Sequence, residues 1–215
     1  MQTFSILPSI HAVTFLAFLS LGTVMGAENP GDIEAIANFL SDGDGQRNAA
    51  APEETEQFGA LVGLWTTEAE ILTQDGSWAD SAPGVWAWKY TIDGFAVADL
   101  FYHGEDSLPE YMKDLGHSYM LTAIRIYDVS AGKWQIAWMA NGAGRAMGAD
   151  FGTFTAVHSD GEIVMSSPPS EGAFGLQRVV FHDMSSDAFH WKSQYSRDNG
   201  ANWTTVMKIR ATRHR

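Results

Sequence analysis

From Phe58 onward, apolar and polar residues alternate with a period of two, whereas the segment ahead of it keeps a period of three to four. In residues 61–72, Leu61, Gly63, Trp65, Thr67, Ala69 and Ile71 oppose Leu64, Thr66, Glu68 and Glu70, which puts the charged set on the solvent face of a first strand. Asp75-Gly76 breaks it. Residues 85–92 alternate Trp86, Trp88, Tyr90 and Ile92 against Ala87, Lys89 and Thr91, and Asp93-Gly94 predicts a two-residue hairpin into 95–102. The pattern repeats through 118–127, 134–140, 150–157, 162–166, 176–181, 188–195 and 203–210, with Ser159-Asp160-Gly161 and Asp198-Asn199-Gly200 as turns. These segments make ten strands, with no helical pattern between them to carry a parallel crossover. The fold class that follows is all-β, an up-and-down antiparallel meander whose closure into a barrel removes the exposed edges. A two-sheet sandwich is the alternative that strand count alone leaves open. The sequential hairpins and the opening Gly63-Leu64-Trp65 favour the barrel, and barrels of this size commonly hold one small ligand.

Ahead of the barrel, residues 12–25 are an apolar run followed by Gly26 and Ala27, with no Lys, Arg, Asp or Glu before Glu28. Its size and flanks predict a signal peptide over 1–27, cleaved after Gly26 or Ala27. The expectation is an exported protein, periplasmic or extracellular, with no stable membrane insertion once the signal is removed; an uncleaved anchor is the alternative. Residues 28–57 read as a helix and a linker. Ile33, Ile36, Ala37 and Leu40 mark one amphipathic helix over 32–40, stopped by Asp42-Gly43-Asp44-Gly45, and 41–55 has linker composition. Asp42, Asp44, Asn48 and Glu53 stand at ligand positions of a calcium loop. Gln46 and Arg47 occupy the places of a ligand and of the obligatory Gly, so calcium is rejected. Residues 58–213 are then the barrel domain.

Composition narrows the chemistry. At 215 residues and 45% hydrophobic, the chain can bury one sizeable core. A formal charge of −13, from 13 Lys and Arg against 26 Asp and Glu, repels phosphate backbones and anionic membranes and argues against nucleic acid as a partner. Part of that excess (Asp32, Glu34, Asp42, Asp44, Glu53, Glu54, Glu56) precedes the barrel. The absence of Cys excludes disulfides, thiol catalysis, Cys-based zinc and a lipid anchored on Cys. His103, His117, His158, His182 and His190 lack metal-ligand spacing, so no metal site is expected, although distant strands can bring two together. No Gly-x-Ser-x-Gly elbow, P-loop or dinucleotide fingerprint appears, and no cofactor is expected. The glycine-rich residues 141–148 join two strands without opening a helix. They read as a loop at the barrel mouth, plain solvent loop first; as a lid it would bring Arg145 to an anionic ligand group.

Polar residues stranded among aromatic ones are the better site candidates. Asp99 shares its phase with Phe95, Val97 and Phe101, and Arg125 with Tyr119, Leu121, Ala123 and Tyr127. The opposite phases, Ala96, Ala98 and Leu100 in one strand and Met120, Thr122, Ile124 and Ile126 in the other, are as apolar. One face must therefore be covered from outside, by the 32–40 helix or by a second copy in a homodimer. For Arg125 an outward structural ion pair is preferred to a cavity role. Trp86, Trp88, Tyr90, Trp134, Trp138 and Trp191 read mostly as core, while their number supports an apolar pocket with a few polar groups. The ligand-binding candidates are Trp86, Trp88, Tyr90, Asp99, Tyr119, Arg125, Trp138 and Arg145. Arg178, His190, Lys192 and Gln194 default to the solvent face, and Asn202-Trp203-Thr204 is a glycosylation sequon relevant in a eukaryotic source.

Pro52-Glu53, Phe58, Leu61 and Val62-Gly63-Leu64-Trp65 resemble the entry segment of lipocalin-like, or calycin, barrels. The resemblance implies a short helical turn leading into a first strand whose Trp plugs one barrel end. More narrowly, Ile126-Tyr127-Asp128, Gly132-Lys133-Trp134, Trp138-Met139 and Ser196-Arg197-Asp198-Asn199-Gly200 with Trp203 resemble a bacterial calycin-like family catalogued only as a domain of unknown function. The resemblance spans residues 52–213. The chain lacks the Thr-Asp-Tyr lipocalin element, and ten strands exceed the eight of true lipocalins, so lipocalin ligands are not transferred. Three functions remain. The first is a barrel binding a small, partly hydrophobic molecule in an aromatic-lined cavity. The second is an enzyme of isomerase, cyclase or hydrolase type using the same cavity, with Asp99, Tyr119 or a His moving protons and Arg125 stabilising charge. The third is a structural or interaction module with a filled interior.

Overall fold

The computed structural model describes residues 45–105, 108, 110–142, 150–168 and 175–214. The signal segment, the 32–40 helix and Arg145 lie outside the described residues. Ten antiparallel strands follow one another around a closed barrel, β1 pairing with β10 to complete it. They are β1 (Gly63–Leu72), β2 (Trp78–Thr91), β3 (Ala96–His103), β4 (Tyr119–Asp128) and β5 (Lys133–Ala140), then β6 (Phe151–Ser159), β7 (Glu162–Ser166), β8 (Leu176–His182), β9 (Ala188–Ser196) and β10 (Thr204–Arg213). Among the described residues one short helix, α1 (Thr55–Gly59), precedes the barrel, and a 3-10 helix (Glu110–Leu115) lies between β3 and β4. The all-β barrel with sequential pairing is the expected architecture, and the sandwich is excluded by the β1–β10 ladder.

Two local departures have physical reasons. The β2–β3 connection is a four-residue turn, Ile92 to Phe95, not the two-residue hairpin that Asp93-Gly94 predicts. The closing pair is Thr91 and Ala96, and Ile92, Asp93 and Gly94 all have positive φ. Gly94 is required there twice over, because a Cβ would collide with the backbone of Gln46 and Asn48, which crosses it. Asn48 donates its backbone N–H to the Gly94 carbonyl and its side-chain amide to Asp93, so residues 45–55, linker-like in composition, are held against the barrel. The second departure is β2 itself, which begins at Trp78 and pairs its first half with the end of β1 across a β-bulge between Thr67 and Ala69.

Alternation sorts the strands as read from β1. Trp65, Thr67 and Ala69 are buried and point into the barrel, while Leu64, Thr66, Glu68 and Glu70 face out. Outside, Leu100, Met120, Ile124 and Ile126 stand 38–44% exposed, joined by Tyr102, Met139 and Phe151 in a strip without a charged residue. A shallow outer groove of about 580 Å³ runs beside it, bounded by Ile92, Ile124, Ile126 and Thr153. The outward phase of β3 and β4 is therefore the mainly apolar one, with Thr122 among its residues, and Asp99 and Arg125 lie on the inward phase.

One barrel end is plugged. Phe58 of α1 stacks on Trp88 at 6.0 Å and meets Trp134 and Phe181 edge-on at 4.9 and 5.6 Å. Trp65 is fully buried against Phe189 at 4.8 Å and donates its indole N–H to the Leu61 carbonyl at 2.7 Å. Arg213, from the end of β10, lays its guanidinium over the Trp65 ring at 4.1 Å and donates to the carbonyls of Val62 and Ala60. Gly63 permits this approach. Its φ of +126 suits no L side chain, and a Cβ would run into the Arg213 guanidinium. Gly63-Leu64-Trp65 is thus a floor built from a bare backbone, a ring and a cation. The Ser196 to Asn202 motif is likewise a turn. Ser196 Oγ donates to Asp198 Oδ1 at 2.7 Å and accepts from the Gly200 N–H, while the Asp198 carboxylate takes both the backbone and side-chain N–H groups of Asn202. The Asn202 backbone N–H first, then its amide and Ser196, hold Asp198 down to about 2.

Candidate ligand cavity

Beyond the plugged end the lumen is not filled. A cavity of about 390 Å³ lies among inward side chains of nearly every strand, toward the end where β1, β3, β5 and β9 finish. Apolar walls come from Phe101, Leu121, Phe154, Met165, Trp191 and others, and Met112 of the 3-10 helix closes in from the β3–β4 connection. Its size falls within the roughly 300–1,000 Å³ of small-molecule pockets.

Asp99 and Arg125 meet in its wall. They sit on neighbouring strands two residues out of direct register, Asp99 opposite Ala123 and Arg125 opposite Val97. Arg125 Nη1 donates to Asp99 Oδ1 at 2.6 Å, with the Asp99 side chain fully buried and that of Arg125 only 3% exposed. The same Oδ1 accepts the Ala123 N–H at 3.1 Å, and Oδ2 accepts the Trp86 indole N–H at 2.5 Å. Arg125 also lies over the rings of Trp88 at 4.4 Å and Phe58 at 5.0 Å. The preference for an outward ion pair at Arg125 is therefore corrected: the ion pair exists, but it is internal. Two buried charges cancel, the aromatic faces solvate the cation, and the carboxylate spends both oxygens on three internal donors. Asp99 consequently orients Arg125 and Trp86 and offers little to a proton in transit. Arg125 Nε, by contrast, is buried with no hydrogen-bond partner.

A second polar group is one that strand patterning did not single out. His103, at the end of β3, lines the cavity, is 4% exposed and stands edge-on to Phe101 at 4.9 Å. Its Nδ1 has no partner, and neither has the buried Thr67 hydroxyl. Both residues crowd the place a Cβ would take on Gly84, His103 Nε2 and Thr67 Oγ1 each at 3.0 Å. Burial pushes the His103 imidazole below its ordinary 6.5. A base whose folded value is depressed adds nothing to instability while both states are neutral, above about pH 6.5. As pH falls below that, the unfolded chain takes the proton more readily and stability drops. His103→Gln is expected to remove part of the acid-side fall in Tm from pH 6.5 downward. An unchanged slope in thermal melts across that window contradicts the assignment.

Of the sequence candidates, Trp86, Asp99, Tyr119, Arg125 and Trp138 line the cavity. Trp88 and Tyr90 do not. Trp88 belongs to the floor beside Phe58, and Tyr90 presses its phenol against Gly59 of α1, whose missing side chain leaves the room. Arg145 lies outside the described residues. Cavity residues not among those candidates include His103, Phe101, Met112, Trp191, Ser193 and Gln177. The signal for the strand residues was available: each shares the inward phase of its strand and sits near the end remote from Trp65.

Fold and site together define the class: a closed ten-stranded up-and-down barrel with an apolar internal cavity and a buried ion pair in its wall. No protein-family model and no curated protein matches the chain. Among solved structures it is similar to the crystal structure of Rv2717c from M. tuberculosis, at 10% identity and a TM-score of 0.42, over 77% of this chain and 99% of that one. It is also similar to the S-type phycobiliprotein lyase CPES from Guillardia theta, at 11% identity and a TM-score of 0.47, over 74% of this chain and 92% of that one. Likeness at that level carries no argument about function.

Proposed function

We propose that this protein is an exported barrel that binds a small, largely apolar molecule in its lumen. The observation that supports the reading best is the cavity of about 390 Å³ left inside a barrel domain that carries all eight Trp of the chain. Empty apolar space costs stability, so a barrel that keeps such space at one end and packs the other solidly is organised around an occupant. The chemistry of the wall narrows that occupant. Among the described residues the wall's ion pair is internally neutralised, and its fully buried side-chain atoms without a hydrogen-bond partner are Arg125 Nε and His103 Nδ1. The ligand is a mainly hydrocarbon or aromatic body with few polar groups, and without a net charge that the pair would leave uncompensated. The occupied Asp99 carboxylate weighs against the acid/base reading, and the open lumen weighs against the filled module.

Trp86, Trp138 and Trp191 provide the readout, since all three line the cavity. Titration with an uncharged apolar fluorophore such as N-phenylnaphthylamine is expected to give saturable energy transfer from tryptophan. Ala123→Phe, which adds a ring to the lining, is expected to abolish it while far-UV circular dichroism stays that of the parent. Absence of saturation in the parent, or equal binding by the filled variant, rejects the lumen as the site.

A further inference from the structure

The β8–β9 hairpin places three metal-ligating side chains around one point on the outer wall, on the far side of the sheet from the ligand cavity. His182 and His190 are directly opposed in the antiparallel register, so their rings leave the same face and stack at 5.4 Å with 24° between planes. Asp183, next along the chain, turns back over them. His182 Nδ1 lies 2.8 Å and His190 Nδ1 3.4 Å from the same oxygen, Asp183 Oδ2. The ligand atoms of all three lie within 4.8 Å of one another.

Hydrogen bonding accounts for only half of this. His182 and Asp183 form an ordinary pair, but His190 Nδ1 is shielded from solvent and its one near acceptor is the same Asp183 oxygen, at 3.4 Å and outside good hydrogen-bond geometry. Two nitrogens and an oxygen bound at about 2.0–2.2 Å in a tetrahedron stand roughly 3.3–3.5 Å apart. The Asp183 to His190 separation is already that edge, and the Asp183 to His182 contact needs to open by about 0.5 Å, within the reach of small side-chain rotations. The scaffold is prepared for it. Asp183 holds a left-handed φ of +51, and Ser185 fixes the turn through its hydroxyl, which accepts the Ala188 N–H at 3.0 Å and donates to the Ala188 carbonyl at 2.9 Å. Arg213 clamps the same turn, taking the Asp187 carbonyl with its backbone N–H and the Ser186 carbonyl with its side chain. The one neighbouring cation in the row, Arg210 opposite His190, leans to Glu68 at 3.9 Å.

We propose that His182, Asp183 and His190 bind one divalent transition-metal ion of the zinc type, with water in the remaining position. Two imidazoles and one carboxylate suit Zn²⁺, Co²⁺ or Ni²⁺ and select against Mg²⁺ and Ca²⁺, which take oxygen ligands. The ion cross-links β8 to β9 beside the Arg213 clamp, and, bound to the folded chain alone, it raises Tm with its concentration.

The test is calorimetric titration of ZnCl₂ into the full chain after EDTA treatment, repeated with CoCl₂ while recording visible absorption. One site per chain and the intense d–d bands of tetrahedral Co²⁺ are expected. His190→Gln and Asp183→Asn, the latter chosen because Asn tolerates positive φ, are each expected to weaken binding by about 10–100-fold or more, no less than the loss of an outer-shell partner does. His117→Ala, remote from the hairpin, is expected to bind as the parent does. No heat beyond dilution with no d–d spectrum, or binding undiminished in both hairpin variants, overturns the proposal.

Discussion

Replacing Arg125 by methionine is expected to cost about 3–5 kcal/mol of stability, the penalty for leaving one partner of a buried pair uncompensated. The reason lies in its surroundings. Asp99 has no exposed side-chain surface, and of its three donors Arg125 alone carries a charge. Solvent cannot screen what is left behind. Removing the charge on both sides is a different matter: Asp99→Asn with Arg125→Met keeps an acceptor for the Trp86 indole and an alkyl stem under Trp88. The double variant is expected to recover a substantial part of the loss, so that the two substitutions are non-additive by at least about 1 kcal/mol. Urea denaturation of the four proteins measures the cycle. A cost below about 1 kcal/mol for Arg125→Met would show a pair that water reaches, and with it a lumen unlike the one described.

Trp65→Ala is the second large effect, again about 3–5 kcal/mol, the range for truncating a fully buried aromatic ring. The loss compounds three contacts: the edge-on ring of Phe189, the Arg213 guanidinium above the face, and the indole donor to Leu61. Because Trp65 does not line the cavity, the variant is expected to keep its affinity for the apolar fluorophore while its urea midpoint falls. Loss of binding in a still-folded Trp65→Ala protein would contradict the division of the lumen into a solid floor and an open upper half.

Much of this barrel was legible before the structure, because a closed sheet with one face dry writes its pleat into the sequence. All ten strands occur where alternation predicts them, and Trp65 is the floor that the calycin resemblance implies. What was not legible depended on register. Both phases of β3 and β4 are apolar, so composition offered no way to tell which side Arg125 takes. The deciding fact is Asp99 on the adjacent strand, within reach only once Val97 is known to face Arg125. The first half of β2 was missed for a local reason: Ser81-Ala82-Pro83-Gly84 carries no hydrophobic alternation, and its pairing with β1 crosses a bulge. Trp88 and Tyr90 share the inward phase of Trp86. Depth along the strand separates them, and depth follows from where α1 enters, a tertiary fact.

The histidines teach the same lesson. No pair shows helical or close ligand spacing, yet the turn between β8 and β9 brings His182 opposite His190. The observed register decides it: the pairing is centred on Ser186, so residues eight apart become neighbours, whereas strands over 176–181 and 188–195 alone would not oppose them.

The central claim is that the upper lumen is kept open for an occupant, and native mass spectrometry of the protein purified without denaturant from its own source tests it most directly. The account predicts a native mass exceeding that of the same chain after acid denaturation, with a discrete small molecule released, and no such excess for Ala123→Phe. Equal native and denatured masses, together with no fluorophore binding in the empty protein, would contradict it.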